Sequence, residues 1–553
     1  MISRISVEDR NVNSLQRIPR KNDTDSKNPS FKGGGAWSAV LWGMQQCEKN
    51  PMVNVAVIDM LSAILPRTIV ESTTNWFAGF EAFRRESSGL IVNCLIPSYV
   101  TLLGAIALNK AMMPNGVNMA NCWADSDLIN KAKDIYKNSN TEDKVKTTFK
   151  EIIGNIEGFE GKEKVVFKDI LSEQEIENYA NRLKELTSAN VNKDKLKEGV
   201  KGITKEITEK THVYENIHIG SGKEAVKANT VETLLTDTTK FFKEFGKTKG
   251  ISIEEFAQKS KKLVRSKSAL GLAVILPLAA SMQYINRWIT KKVSGVDGAP
   301  IYDDFGKNKD NNEQAEAIKQ QSKEGLLKQK LISISSMIGV SLLSMMKLPS
   351  WNMLEFKGIF PTMDQARLIS TTTFCSRMAA ADDRNELAEA TVRDIATFSG
   401  LYFLGDYGGK AAATIIQNKT GIELLNDTKP LKKDANIFER FTHWLKDVNI
   451  KSSEEITSKT EKALKSQNLK PTAEQLEIIK KEINRGKNLR YACQAANIGV
   501  SLVLLGIIVP IYTRHKTKKK HAEALKLAQE TSSSNNNDKD KETSPTESSA
   551  TKA

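Results

Sequence analysis

The 553-residue chain is long enough for several packed units, and 40% apolar content with only 7% aromatic residues suits one large helical assembly. Its formal charge of +15 points to nucleic acid or to an acidic membrane surface. No basic-aromatic motif of an RNA-recognition module and no zinc-finger spacing is present, so specific nucleic-acid binding is not expected and the lipid bilayer is the expected partner. Five cysteines without a CxxC pair argue against a disulfide framework or a structural zinc site.

Residues 1–35 are polar and charged throughout and close on Gly33, Gly34 and Gly35, the composition of a disordered segment. They hold no apolar stretch of a secretory signal, so membrane insertion falls to an internal helix. Ser30-Phe31-Lys32-Gly33 resembles the start of uncharacterised proteins from gut-dwelling relatives of cyanobacteria. That resemblance covers this segment and implies no function.

Residues 36–124 read as apolar helices. The run 52–65 carries Asp59 and ends at Pro66-Arg67, too short for a span around a charge, which predicts a buried or interfacial helix. The alternative makes Asp59 an intramembrane functional carboxylate. Residues 87–109 form the first expected span, and Arg84 and Arg85 place its N-terminal end on the cytoplasmic side. Within it, Pro97 predicts a kink and Asn93 a polar contact to a neighbouring helix.

Residues 125–267 change to Lys, Glu and Asn and predict a charged helical region. Ser172-x-x-Glu175 and Ser252-x-x-Glu255 mark helix starts. Val231, Leu234, Leu235, Thr238, Phe241, Phe242 and Phe245 share one helical face and read as core, with docking on a partner helix or a membrane surface as the alternative.

Between 268 and 348 two spans are expected. Residues 268–286 lie between Lys259, Lys261, Lys262, Arg265 and Lys267 on one side and Arg287, Lys291 and Lys292 on the other. Counting cations there contradicts the orientation of the first span, unless the charged region is translocated or a further span, with 52–65 the suspect, lies upstream. Residues 331–346 form a shorter span entered from Lys319, Lys323, Lys328 and Lys330, with Pro349 and Trp351 beyond it.

Residues 349–490 are mixed. The arms 395–404 and 411–416 flank Gly405-Asp406-Tyr407-Gly408-Gly409-Lys410, which predicts either a re-entrant segment or a soluble helix, glycine turn and second helix. Ile437, Phe438, Phe441, Trp444, Leu445 and Val448 make 436–448 amphipathic, suited to a membrane interface or to packing on the helices that follow. One of those helices is expected to open at Pro471-Thr472, with Gln475 completing a capping box. The last span, 491–513, holds about 23 uncharged residues, long enough to cross a hydrocarbon core. Arg514, Lys516, Lys518, Lys519 and Lys520 follow it as a cytoplasmic basic flank, before a tail to 553 that reads as disordered.

The expected fold is therefore all-α: a multi-pass helical membrane protein with a large charged helical insertion and disordered termini. Its expected place is the bacterial cytoplasmic membrane with both termini cytoplasmic. His212, His218, His443, His515 and His521 form no HExxH pair. Gly220-Ser221-Gly222-Lys223 lacks the glycine and hydroxyl of a phosphate loop, Asp304-Phe305-Gly306 lacks its kinase companions, and no GxSxG elbow occurs. No catalytic residue, metal or cofactor is expected. The expected role is a non-catalytic structural or interaction component, with oligomerisation open. The alternative is a transporter or channel-like protein in which Asp59, Asn93, Asp406 and Lys410 line a polar path. A third reading is a soluble or peripheral helical protein whose apolar runs are core.

Overall fold

A computed structural model describes residues 35–73, 76–220, 225–294, 325–345, 351–382, 384–432, 434–458 and 473–513, with a few positions beyond. The segments read as disordered at either end, the positions 221–224 and 304–306, Pro471-Thr472, and Arg514, Lys518 and Lys520 lie outside the described residues.

The chain is mostly helical, and five of its helices are long and apolar enough to cross a membrane. These are α2 (Pro51–Ser72), α3 (Trp76–Met112), α9 (Ile253–Ser294), α10 (Leu326–Met345) and α14 (473–513). A short helix, α1 (Gly35–Lys49), precedes them. The candidate span beyond the four expected is α2. From the sequence Pro66 marks its end, because proline lacks an N–H and its ring collides with the preceding turn. A widened turn absorbs that clash instead, with the Leu65 N–H reaching back to the Met60 carbonyl. The same device recurs at Ile96, which bonds Ile91 before Pro97, and at Val509, which bonds Leu504 before Pro510.

Two further runs lie among the five, α11 (Met363–Ala379) and α12 (384–420). Paired contacts give the direction of each run. Arg67 meets Glu86, and Ser72 meets Gly79, so α2 and α3 are antiparallel. Arg84 meets Asn286 and Thr290 while Leu270 meets Gly104, so α9 opposes α3. Lys330 reaches the Ala379 carbonyl and Ser341 meets Thr371, so α10 opposes α11. Arg377 meets Asp394 and Ser370 meets Tyr402, so α12 opposes α11 in turn. Asn54 bonds Gln494 and Pro66 touches Gly506, so α14 runs parallel to α2. Pro51 and Thr513 consequently stand at opposite ends of the bundle.

Through the glycines the helix is unbroken: α12 continues from 384 to 420, ending where Gly421 takes a left-handed conformation. The glycines are there for close approach. A Cβ on Gly408 would strike Val500, and one on Gly405 would strike Asn497 and Ser501, all on α14.

The charged region corrects the all-α expectation. It contains α4 (Ser126–Asn138), α5 (Lys144–Gly154), α6 (Glu173–Leu186), α7 (Lys193–Thr211) and α8 (Val231–Phe245), together with a four-stranded antiparallel sheet. The strands are β1 (Ile156–Glu160), β2 (Glu163–Val166), β3 (Glu215–Ile219) and β4 (Val226–Thr230), in the order β2-β1-β3-β4. They are too short, and too interrupted by charge, to show a period of two. Their hairpin turns on Gly161, at φ 65°.

The domain core includes Phe149, Phe167, Leu235, Phe241, Phe242 and Phe256, which confirms the apolar stripe of α8 as core. It also takes in Met113, Val117, Met119 and Cys122, from the segment that follows α3. Both capping patterns form, with Ser172 Oγ accepting from the Glu175 N–H and Ser252 Oγ from the Glu255 N–H.

The domain caps the bundle end where α3 finishes and α9 begins. Glu355, in the segment before α11, accepts from the Ser126 N–H at 2.8 Å at the start of α4. Buried Lys267 donates to the Cys122 carbonyl at 2.8 Å and lies 4.0 Å from the Trp123 ring. A second small sheet pairs β5 (Leu425–Asp427) with β6 (Val448–Ile450) and bonds to the domain through the Asp427 N–H and the Gly161 carbonyl.

A candidate functional site in the bundle interior

Charge concentrates where α2, α3, α11 and α12 meet. Arg67 Nη1 lies 3.2 Å from Glu86, and its Nη2 donates to Thr397 Oγ1 at 2.8 Å. Arg377 Nη2 stands 3.6 Å from the other oxygen of Glu86, and its Nη1 donates to Asp394 at 2.7 Å. Arg393 approaches the same Asp394 oxygen at 3.3 Å, and Arg85 flanks Glu86 at 4.0 Å. Arg67, Glu86, Arg377 and Asp394 are all buried.

The depth of this network follows from α14. Pro66 touches Gly506, which precedes Arg514 by about eight residues, or roughly 12 Å at 1.5 Å per residue. The ions are therefore inside the apolar part of the bundle. Removing charges from water is costly, and pairing offsets that only when the geometry is good and the remaining donors are met. Here several are not: among the described residues, Arg67 Nε, Arg377 Nε and Asp394 Oδ2 have no hydrogen-bond partner. Guanidinium groups outnumber the two carboxylates they share, and Asp59 lies within electrostatic reach of Arg67, Arg377 and Glu86. Four helices are joined by a net-cationic set of ions that no single helix can satisfy.

The residues expected to line a polar path fall into two groups. Asp59 borders the ion network, and Asn93 accepts from Thr373 Oγ1 at 3.0 Å, tying α3 to α11. Asp406 instead accepts from Asn497 Nδ2 at 2.8 Å, and Lys410 donates to the Leu445 carbonyl at 3.1 Å, both in packing at the domain end of α12. Of the flanking cations, Arg84 is engaged with Asn286 and Thr290, and Lys516 with the Tyr512 hydroxyl at 3.2 Å.

Arg67, Glu86, Arg377 and Asp394 were missed as site residues because each passes locally for a flank. Arg67 follows a proline, Glu86 adjoins two arginines, and Arg393-Asp394 closes a charged helical stretch. The available signal was that Ile69-Val70 follows Arg67 and Ile395-Ala396 follows Asp394, so neither charge is at the end of its apolar run.

A second cluster lies between the domain and the bundle. Glu215 on β3 faces Glu455 and Glu48, and Ser453 Oγ donates to Glu48 at 2.6 Å. Burial and the neighbouring carboxylates push the Glu215 carboxyl up to about 8. Burial likewise pushes Glu455 up to about 7, against the Ser452 N–H that holds it at 2.9 Å. On the domain surface, an open cleft of about 970 Å³ is lined by Asp127, Lys131, Asp134, Glu151 and Asn352, among others. Among the described residues no His, Cys, Asp or Glu group has a metal-binding arrangement.

In comparisons with known proteins, no family model, no curated protein and no solved structure matches this chain.

Proposed function

We propose that the chain is an integral membrane protein of structural or interaction type, without catalytic activity, whose bundle anchors the charged domain at one membrane face and presents it to a protein partner. The observation that carries the reading is the bundle's inverted polarity. Phe77, Leu103, Leu331, Leu343, Val503 and Ile511 are exposed on its outside while Arg67, Glu86, Arg377 and Asp394 are buried within. Water would not support that distribution, and lipid does.

The same helix directions support one orientation. Arg84, Arg85, Lys330 and the end of α14 before the basic flank lie in the half of the bundle away from the domain, with Arg85 and Lys330 level with the ion network. Assigning that side to the cytoplasm satisfies the cation rule for three helices, and a long domain crosses despite its own charge. The N-terminal end of α2 then lies across the membrane from the C-terminal flank, in place of two cytoplasmic ends.

Alkaline-carbonate extraction with protease accessibility of a tag after Ala553 tests this. Retention in the pellet, with the tag cut only from the cytoplasmic side and the domain only from the other, supports the reading. Release into the supernatant sinks it.

A second reading, transport, draws on the unmet donors and acceptors of the ion network, since ionisable groups at membrane depth mark conduction paths. Asp59→Asn and Asp406→Asn separate the two. Loss of a cation or solute flux in vesicles at unchanged abundance favours transport; unchanged flux with altered partner pull-down favours the anchor.

A further inference from the structure

We propose that α13 (Ile437–Asp447) is an interfacial helix that lays Ile437, Phe438 and Phe441 into the headgroup boundary of an anionic lipid surface; this rests on the membrane reading above. The helix begins with a complete capping box, Asn436 Oδ1 accepting from the Glu439 N–H at 2.8 Å and Glu439 from the Asn436 N–H at 2.9 Å. It is thus a formed element, yet none of its residues is buried. Ile437 is 87% exposed and Phe438 73%.

Its other side is held in place. Trp444 Nε1 donates to Thr414 Oγ1 at 3.2 Å, Lys410 reaches the Leu445 carbonyl, and His443 Nε2 stands 3.4 Å from Asp427 on β5. The apolar face is presented outward by a fixed support.

The height of that support identifies the occupant. Trp444 and Leu445 rest on the stretch of α12 from Tyr407 to Thr414. There Gly409 lies against the Cys493 carbonyl and Gly408 against Val500. The helix is therefore level with the first turns of the apolar run 491–513, just past Arg490, where hydrocarbon gives way to headgroups.

The charges fit the same boundary. Lys432, Arg440 and Lys446 are exposed around the apolar face beside an exposed carboxylate, Asp434, while Lys429 pairs with Asp447 at 3.0 Å and Glu439 is engaged in the cap. Exposed cations beside aromatic and aliphatic side chains match anionic headgroups over acyl chains.

Power-saturation electron paramagnetic resonance on the full chain in phosphatidylglycerol-containing vesicles tests this, with a nitroxide amino acid placed singly at 438, 441, 446 or 507. Positions 438 and 441 should favour oxygen over a water-soluble nickel complex, as 507 on α14 does, while the exposed position 446 favours nickel. Replacing phosphatidylglycerol with phosphatidylcholine should move 438 and 441 toward nickel and leave 507 unchanged. Nickel preference at 438 and 441 with oxygen preference at 507 overturns the proposal and spares the membrane reading. Nickel preference at 507 removes both. Shielding of 438 from both probes, with short label-to-label distances between chains, assigns the face to a second copy and also overturns it.

Discussion

The charged domain and the helical bundle solve opposite problems with one chain. In the domain, Phe149, Phe242 and Phe256 are sealed away while Lys and Glu cover the surface, and each such side chain contributes about 1.5–3 kcal/mol by leaving water. In the bundle, Leu343, Val503 and Ile511 face outward and Arg67, Glu86, Arg377 and Asp394 turn inward. Apolar burial organises the first region. Between helices with apolar exteriors that drive would be weak in lipid, and small residues, hydrogen bonds and paired ions join the helices of the second. Gly405, Gly408, the Asn93–Thr373 bond and the arginine network are those devices.

The sharpest way to break this contrast is to remove one ion. Arg377→Met leaves Glu86 and Asp394 short of a partner at depth and should cost about 3–5 kcal/mol, read as loss of folded protein in detergent melts. The double variant Arg377→Met/Asp394→Leu should recover part of that loss. If the double falls as far as the sum of the two singles, the ions are not acting as a pair.

Next in size is the outer surface of the bundle. Ile507→Asp places a carboxylate on the exposed face of α14 and should cost about 3 kcal/mol of insertion, measured as the fraction retained after carbonate extraction. A charge on the water-facing side of the domain, such as Lys201→Asp, should leave that fraction unchanged. Equal retention for the two variants would remove the distinction between the two exteriors.

The junction between the regions should respond to pH. Glu215 and Glu455 have folded-state values raised above the ordinary carboxyl range, so folding favours their protonated forms. Their contribution is complete below the ordinary carboxyl value and declines as pH rises through about 7 to 8. Hydrogen exchange at β3 should therefore quicken, beyond the intrinsic pH effect, between pH 5 and about 8. Glu215→Gln should flatten that response; an unchanged slope would place the titration elsewhere.

The smallest effect belongs to a purely local feature. Ser172→Ala removes the N-cap of α6 and should cost the domain about 1 kcal/mol in denaturant unfolding, without altering the bundle.

Local physics made the helices legible. The runs 87–109, 268–286 and 491–513, and 331–346 as far as Met345, fall within helices apolar enough to cross a membrane, because length and charge content are written in consecutive residues. The stripe from Val231 to Phe245 and the caps at Ser172 and Ser252 were readable for the same reason. Misreadings arose where a local signal had two outcomes. Pro66 marks either a helix end or a widened turn, and Gly405 to Gly409 mark either a break or a close approach. The strands of the domain sheet are four or five residues each, too short for alternation to be distinctive.

From the sequence alone came the helix-rich composition, the long apolar runs, the caps and the core stripe, since each depends on neighbours within a few turns. The tertiary structure decided which charges are flanks and which are buried partners, and which face each helix turns outward. Arg67 meets Thr397 across 330 positions of chain, and Asn54 meets Gln494 across 440. No pattern of consecutive residues encodes such a meeting; it exists only once the intervening helices have packed and excluded the water that would otherwise solvate each charge by itself.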